Sequence, residues 1–134
     1  MKKYRYNIFF NKERIGTTQF EQADAPMGVV FGKINFDIDI SDANSEYDFI
    51  KNFFIKNKIE YIDYQEDKII TTMNIPDLQI ISEEGILMNK HEGISISGMA
   101  GEGFEITVLG LEQLNILFPN HSKAYYEKMK SITN

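Results

Sequence analysis

The sequence contains no cysteine. Disulfide bonds and thiolate catalysis are therefore excluded, and the composition is typical of a protein from a reducing compartment. Long hydrophobic runs are also missing. The apolar stretch near the amino terminus ends at Phe10, which makes it too short for a secretion signal or a membrane-spanning helix. We therefore expect a cytoplasmic protein that does not contact a membrane.

A complete phosphate-binding loop is missing as well. The segment DAPMGVVFGKI, residues 24–34, has a lysine after two glycines, but only three residues separate Gly28 from Gly32 and Ile34 stands where a hydroxyl residue belongs. The intervening Val-Val-Phe run favours a strand. We predict a turn at residues 24–26, a strand through Phe36, a close backbone approach at one of the glycines, and no bound nucleotide or other cofactor.

The segment DIDISDANSEYD contains a partial calcium-loop pattern. Asp37, Asp39, Ser41 and Asp48 occupy positions 1, 3, 5 and 12 of such a loop, but Asp42 replaces the glycine that makes its sharp turn. We therefore predict a strand end followed by a helix cap, and no metal site.

No motif for covalent or acid–base catalysis is present. His91 and His121 have no partner at metal-ligand spacing, and the nucleophile elbow of hydrolases is absent. Carboxylates are abundant, so a two-carboxylate hydrolase remains an alternative whose geometry is not visible in a sequence. We predict that the protein is not an enzyme and that it has no catalytic residues.

What the sequence does contain is enough material for one folded domain, residues 1–134. Of its residues 43% are hydrophobic, and ten phenylalanines and seven tyrosines supply bulky core side chains. A chain of this length buries about two-thirds of its unfolded surface, so it needs no disulfide or metal to be stable.

Hydrophobic periodicity predicts an α+β fold, with a mostly antiparallel sheet packed by one central helix and a C-terminal helix. The central helix is predicted from about Ser45, with a cap in Ser45-x-x-Asp48, to Asn57. The last helix is predicted after Pro119, with Tyr125, Met129 and Ile132 facing inward. Strands are predicted at residues 3–10, 17–22, 27–36, 59–64, 68–74, 78–82, 94–96 and 104–108.

Negative charge is concentrated in the middle of the chain. Residues 37–111 carry fifteen acidic and five basic residues, a net charge of −10, whereas the whole chain has −6. Such a field repels nucleic acid and favours a basic protein partner. The alternative is an ordinary solvated surface. The candidate partner-binding residues are Asp37, Asp39, Asp42, Asp63, Glu66, Asp67, Glu83 and Glu84.

Two segments, residues 15–34 and residues 104–128, resemble small, uncharacterised bacterial proteins. Those proteins have a Pro-Met-Gly-Val pattern and a C-terminal Leu-Phe-Pro-x-His pattern. Together the two segments cover about a third of the chain; Ala25 and Asn120 depart from the pattern. The resemblance implies structural signatures and no active site. The matching residues are Gly16, Asp24, Pro26, Met27, Gly28, Val29, Gly32, Leu117, Phe118, Pro119, His121, Ala124 and Tyr125.

By analogy, an acidic protein of this build is similar to the immunity proteins of bacterial toxin systems, including contact-dependent growth inhibition. The analogy implies that the chain binds and neutralises a cognate toxin domain, such as a basic nuclease. Two alternatives remain open: a small-molecule-binding protein or enzyme with a pocket between sheet and helix, and a structural or regulatory module with another partner.

Overall fold

The computed structural model describes residues 5–39, 42, 44–112 and 114–133, the side chains of the last three of these excepted. Within that part, helices pack on one antiparallel sheet of nine strands, which confirms the predicted α+β fold. The strands are β1 (Tyr6–Phe10), β2 (Glu13–Thr18), β3 (Gln22–Asp24), β4 (Val29–Phe36), β5 (Ile62–Tyr64), β6 (Ile69–Thr71), β7 (Leu78–Ser82), β8 (Gly93–Met99) and β9 (Gly103–Leu109); the helices are α1 (Ser45–Lys56), α2 (Leu114–Leu117) and α3 (Pro119–Thr133).

The order across the sheet is β5-β6-β8-β9-β4-β2-β1-β7, and β3 pairs with the first residues of β4. Every pair is antiparallel, so residues that face each other across neighbouring strands lie on the same side of the sheet. Strands β5 and β7 are therefore the two ends of the sheet. This order decides which acidic residues can act together.

Alternation along the strands separates an inner face from an outer face. On β9, Phe104, Ile106 and Val108 are buried, whereas Glu105 and Leu109 are exposed. Helix α1 covers the inner face, because its aromatic side chains contact rings of several strands. The ring centroids of Phe53 and Phe10 lie 5.3 Å apart, and those of Phe49 and Phe36 lie 5.2 Å apart.

The ends of α1 differ from the prediction in detail. The residue before the helix is Asn44, and its side chain makes no capping bond, so the predicted Ser45 cap is wrong. Asp42 instead organises the entry by accepting a hydrogen bond from the Asn44 N–H (2.7 Å). At the other end Lys58 has a φ of 57°, and the Ile59 N–H reaches back to the Phe54 carbonyl (2.9 Å). A left-handed residue with this bond ends helices in the Schellman manner.

The first hairpin turns earlier than predicted. Asn11 and Lys12 both have positive φ, 47° and 70°, which is the geometry of a two-residue mirror-image turn. Strand β2 therefore begins at Glu13, and the predicted strand start at Thr17 is wrong. The Asn-Gly and Asp-Gly pairs that usually signal this turn are absent, and Asn-Lys takes their place. Of the predicted strand 3–10, Lys3 and Tyr4 lie outside the described residues.

The glycine-bearing segment is a turn followed by a strand, as predicted. Residues Ala25–Met27 form a short 3-10 turn, Gly28 has a φ of 67°, and β4 follows. At Gly32 a Cβ atom would stand 2.7 Å from the Phe20 backbone nitrogen, so the glycine permits a close backbone approach. The Lys33 N–H donates to the Glu21 carboxylate (2.6 Å), which continues the hydrogen bonding where β2 and β3 are interrupted.

Segments 15–34 and 104–128, which were predicted to be structural signatures, meet in the fold. The Leu111 N–H donates to the Gly28 carbonyl (2.7 Å), and the Phe118 and Phe20 rings lie 5.7 Å apart. At the start of α3, His121 Nε2 lies 2.6 Å from the Phe20 carbonyl oxygen. These contacts are structural, and they join the carboxyl-terminal region to the turn before β4.

Helix α3 begins at Pro119, as predicted. Its predicted inward face is only partly buried: Tyr125 is half-buried, and Met129 is 39% exposed. The Ile132 side chain lies outside the described part. None of the helices that the structure describes is long and apolar enough to cross a membrane.

Candidate protein-binding surface

The eight predicted carboxylates lie on three segments of the chain, of which the first two adjoin through the Asn44 and Lys68 side chains. Asp37, Asp39 and Asp42 are in the connection from β4 to α1, and Ser41 of the calcium-loop pattern lies outside the described residues. Asp63 is on β5, with Glu66 and Asp67 in the turn that follows. Glu83 and Glu84 follow β7 at the other end of the sheet. The negative charge of the sequence therefore does not form one surface.

Two of these carboxylates form ion pairs with arginines of the chain itself. Both oxygens of Asp37 accept hydrogen bonds from the Arg14 guanidinium, at 2.8 and 3.0 Å. Hydrogen bonding to Asp37, together with the negative charge of that carboxylate, raises the pKa of Arg14 above its ordinary value. Glu83 lies 3.3 Å from Arg5 in an exposed ion pair. Both residues are less available to a partner than a free carboxylate would be.

Asp63 is held on the inner side of β5. Its oxygens accept hydrogen bonds from the Tyr47 hydroxyl at 2.8 and 3.0 Å, and the Lys51 ammonium lies 2.9 Å away. Desolvation opposes ionisation of this carboxylate, but the hydrogen bonds from Lys51 and Tyr47 and the charge of Lys51 outweigh it and lower the pKa of Asp63. The same pairing, through its hydrogen bond, raises the pKa of Lys51. Asp63 therefore joins β5 to α1.

We expect Asp63→Asn to remove a pH-dependent part of the stability. A depressed pKa means that the ionised carboxylate stabilises the folded state above the ordinary aspartate value of about 3.9, and that this contribution is lost as pH falls through the folded value. The variant should be about 2 kcal/mol less stable at neutral pH, the worth of a charged hydrogen bond, and this difference should shrink as pH falls below the ordinary aspartate value. Urea unfolding measured across this range tests the difference.

The control for this experiment is Glu66→Gln, which removes an exposed carboxylate from the adjacent turn. Its stability should follow that of the original chain at every pH, because surface charges of this kind contribute little. A deficit of Asp63→Asn that stayed constant from pH 7 to pH 2 would contradict the assigned role of the ionised carboxylate.

Glu66 and Asp67 face a neighbouring acidic turn. The Ala100 N–H donates to the Lys68 carbonyl (3.1 Å), which places the turn between β8 and β9 beside the turn between β5 and β6. This second turn carries the exposed Glu102. Within the described part of the chain, no basic side chain forms an ion pair with these three carboxylates. The two turns together form an acidic tip at one corner of the sheet.

An apolar row lies next to this tip on the outer face. The strand register aligns Tyr64 with Ile69, Ile69 with Met99, and Met99 with Gly103. Tyr64 is 53% exposed, and Ile69 and Met99 are half-buried. A shallow depression of about 310 Å³ adjoins the row. We name this region the hairpin-tip surface, and it consists of Tyr64, Glu66, Asp67, Ile69, Met99 and Glu102.

Sequence reasoning identified two members of the hairpin-tip surface and missed four. The charge count singled out Glu66 and Asp67 but left out Glu102. Tyr64 and Ile69 were assigned to hairpin strands and Met99 to a turn, none of them with a binding role. The hairpin turn around Glu102 was a usable pattern, because connecting turns run over the protein surface. What the pattern lacked was the pairing of β6 with β8, which brings the two turns together.

A cleft between sheet and α1 corresponds to the pocket of the small-molecule alternative. Its volume is about 270 Å³, slightly below the usual range for ligand pockets. The cleft contains Arg14, Asn52 and Lys56 together with the edges of two phenylalanine rings. Arg14 is already bound by Asp37 and also donates to the Asn7 side chain (3.2 Å).

The histidines lie away from the hairpin-tip surface. Desolvation lowers the pKa of His91, and its Nδ1 atom is buried without a hydrogen-bond partner among the residues that the structure describes. The His121 ring packs 5.5 Å from the Phe118 ring, in the contact between α3 and the body. No group of three or more metal-ligating side chains occurs among the described residues.

Comparison of the chain with protein-family models, curated proteins and solved structures finds no match.

Proposed function

We propose that this chain is a non-enzymatic immunity protein that binds a basic bacterial toxin domain and blocks its activity in the cytoplasm. The observation that carries the proposal is the hairpin-tip surface, which combines three exposed carboxylates with an exposed tyrosine and two half-buried apolar side chains. This combination suits a protein partner, because aromatic anchors provide affinity and surrounding charges provide orientation and rate.

The charge of the surface selects the class of partner. Glu66, Asp67 and Glu102 create a negative potential beside Tyr64, and the chain as a whole carries −6. Two lysines lie near this surface: Lys68 directs its ammonium to the Asn44 side chain (3.0 Å), and the Lys33 ammonium lies beside Gly103. A negative field of this kind accelerates association with a positively charged protein and repels nucleic acid and anionic membranes. Nuclease toxins have basic substrate grooves, which such a surface is suited to cover.

The test is a rescue experiment with the protein encoded by the adjacent gene. Cells that express this protein should survive when they also express the chain, and the two purified proteins should form a complex. The charge-reversed double variant Glu66→Lys with Asp67→Lys should associate at least about tenfold more slowly at low salt, and its rate should depend less on salt, because rim charges act mainly on encounter.

The matched control is Glu83→Lys with Glu84→Lys, which changes the net charge equally but at the opposite end of the sheet. We expect its association rate to stay within about threefold of the original, because screening confines charge effects to about 10 Å at ordinary salt. Equal slowing by both pairs would show that only overall charge acts. Absence of both rescue and complex formation would refute the immunity function.

The cleft between sheet and α1 supports a second candidate function, the binding of a small anion. Arg14 on β2 and Asn52 and Lys56 on α1 supply donors, and two phenylalanine side chains supply apolar contact, although Glu13 and Asp37 also line the cleft. Thermal melting with a panel of small carboxylates and phosphates tests this candidate. A rise in melting temperature that is absent from Asn52→Leu would favour small-molecule binding over the immunity function.

A further inference from the structure

The two ends of the sheet differ in how their backbone is covered. Beyond β7, the chain turns back and pairs Leu87 with Ile81, and the N–H groups of Ser82 and Met88 exchange bonds with the carbonyls of Ile86 and Ile80, each at 2.9 Å. Strand β5 pairs only with β6 in the part of the chain that the structure describes. The outer edge of β5 is therefore an open edge at one end of the sheet.

The hydrogen-bond pattern identifies the backbone groups at this edge. The Thr72 N–H donates to Ile96 on β8 (3.0 Å), and the Lys68 carbonyl accepts from Ala100 (3.1 Å). Because successive residues of an antiparallel strand alternate in direction, Ile69 and Thr71 bond toward β5. Their partners on β5 are the residues on either side of Asp63. The N–H and C=O of Asp63 therefore point away from the sheet.

The open edge is held in extended geometry by the buried Asp63 carboxylate. Tyr47 and Lys51 bind this side chain on the inner face, 2.8 Å and 2.9 Å away. On the outer face, the side chains of Ile62 and Tyr64 are 52% and 53% exposed. A strand whose backbone is already fixed loses little conformational entropy when a further strand is added.

The surroundings of the edge favour a basic segment as its occupant. A groove of about 530 Å³ lies at the start of β5, where this strand meets the end of β6, and is lined by Ile59, Glu60, Ile62, Thr71 and Met73 among others. Met73 is 81% exposed. Glu66 and Asp67 lie at the other end of β5. A second copy of this chain would bring like charges together, which disfavours pairing of two β5 edges.

We propose that the edge of β5 accepts an extended basic segment of a partner protein as an additional strand, with apolar side chains in the groove and cationic side chains against Glu60, Glu66 and Asp67. The proposal rests on the immunity function and specifies how its partner is recognised. Main-chain bonds to Asp63 provide the pairing, and alternating pockets and carboxylates provide the specificity. Since β5 is three residues long, the flanking contacts supply much of the affinity.

The test uses two acetylated peptides of equal charge. One alternates lysine with valine and can pair as a strand; the other alternates lysine with proline and cannot donate backbone hydrogen bonds. We expect the valine peptide to slow amide hydrogen exchange of Asp63 by about tenfold or more, because protection follows hydrogen bonding. The proline peptide should leave this amide unprotected. Glu66→Lys with Asp67→Lys should abolish the protection, whereas Glu83→Lys with Glu84→Lys should retain it.

Other outcomes overturn the proposal. Binding of both peptides without protection of Asp63 would show that only charge is recognised. Protection that rises with protein concentration in the absence of peptide, accompanied by a dimer in sedimentation, would assign the edge to a second copy. If the basic partner of the rescue experiment binds while the Asp63 amide stays exchangeable, the strand proposal fails and the immunity function stands. If the valine peptide protects Asp63 but no rescue occurs, the strand proposal stands and the immunity function fails.

Discussion

Replacing Phe104 with alanine is expected to destabilise the fold by about 3–5 kcal/mol, the usual cost of deleting a buried aromatic side chain. Phe104 is 0% exposed on the inner face of β9, and its ring lies 6.1 Å from that of Phe36. It also crosses Gly98 on the neighbouring strand, where a Cβ atom would stand 2.5 Å from the ring. The space left by the ring is enclosed by strands, so relaxation recovers little of the loss.

Urea unfolding measures this effect, and Leu109→Ala on the same strand is its control. Leu109 is 44% exposed on the outer face, so its truncation should cost less than about 1 kcal/mol. A further variant, Gly98→Ala, should be destabilised both in the original chain and when Phe104 is already alanine, because a Cβ atom there also clashes with the Gly103 carbonyl oxygen. A cost below about 1 kcal/mol for Phe104→Ala would contradict the core that the fold describes.

The second large effect concerns binding. Truncation of Tyr64 to alanine is expected to weaken the complex with the basic partner by about 2–3 kcal/mol, which corresponds to roughly a hundredfold faster dissociation. Tyr64 lies between the acidic tip and the open edge of β5, and about half of its side chain is exposed, which leaves it free to enter a pocket of the partner. Folding stability should barely change, because the exposed ring makes few contacts within the chain.

A matched control is Tyr126→Ala on α3, which removes a tyrosine that is 61% exposed but distant in the chain from the hairpin-tip surface. Its dissociation rate should stay within about threefold of the original if the anchor is specific to the hairpin-tip surface. Equal losses of binding affinity for both tyrosine variants, or no loss of affinity for Tyr64→Ala, would place the interface elsewhere. Thermal melting of each variant separates a loss of binding from a loss of folding.

The sequence by itself determined most of the elements. Strict alternation identified the residues of β9, and the helical spacing of aromatic residues identified α1, because burial on one face imposes a period of two on strands and 3.6 on helices. The predictions from sequence differed from the structure where the local sequence pattern was weak. An Asn-Lys turn without glycine moved the start of β2 to Glu13, and the apolar stripe of α3 did not show that Met129 remains exposed.

Only the tertiary structure decided which charges act together. The sequence treats Asp63, Glu66 and Asp67 as one run, yet alternation turns Asp63 inward to Lys51, and the turn leaves its two neighbours exposed. Pairing of β6 with β8 then adds Glu102, which is far away in the chain, while the sheet order moves Glu83 to the opposite end. Net charge is a sum over residues, whereas an electrostatic surface depends on distances, and strand pairing sets those distances.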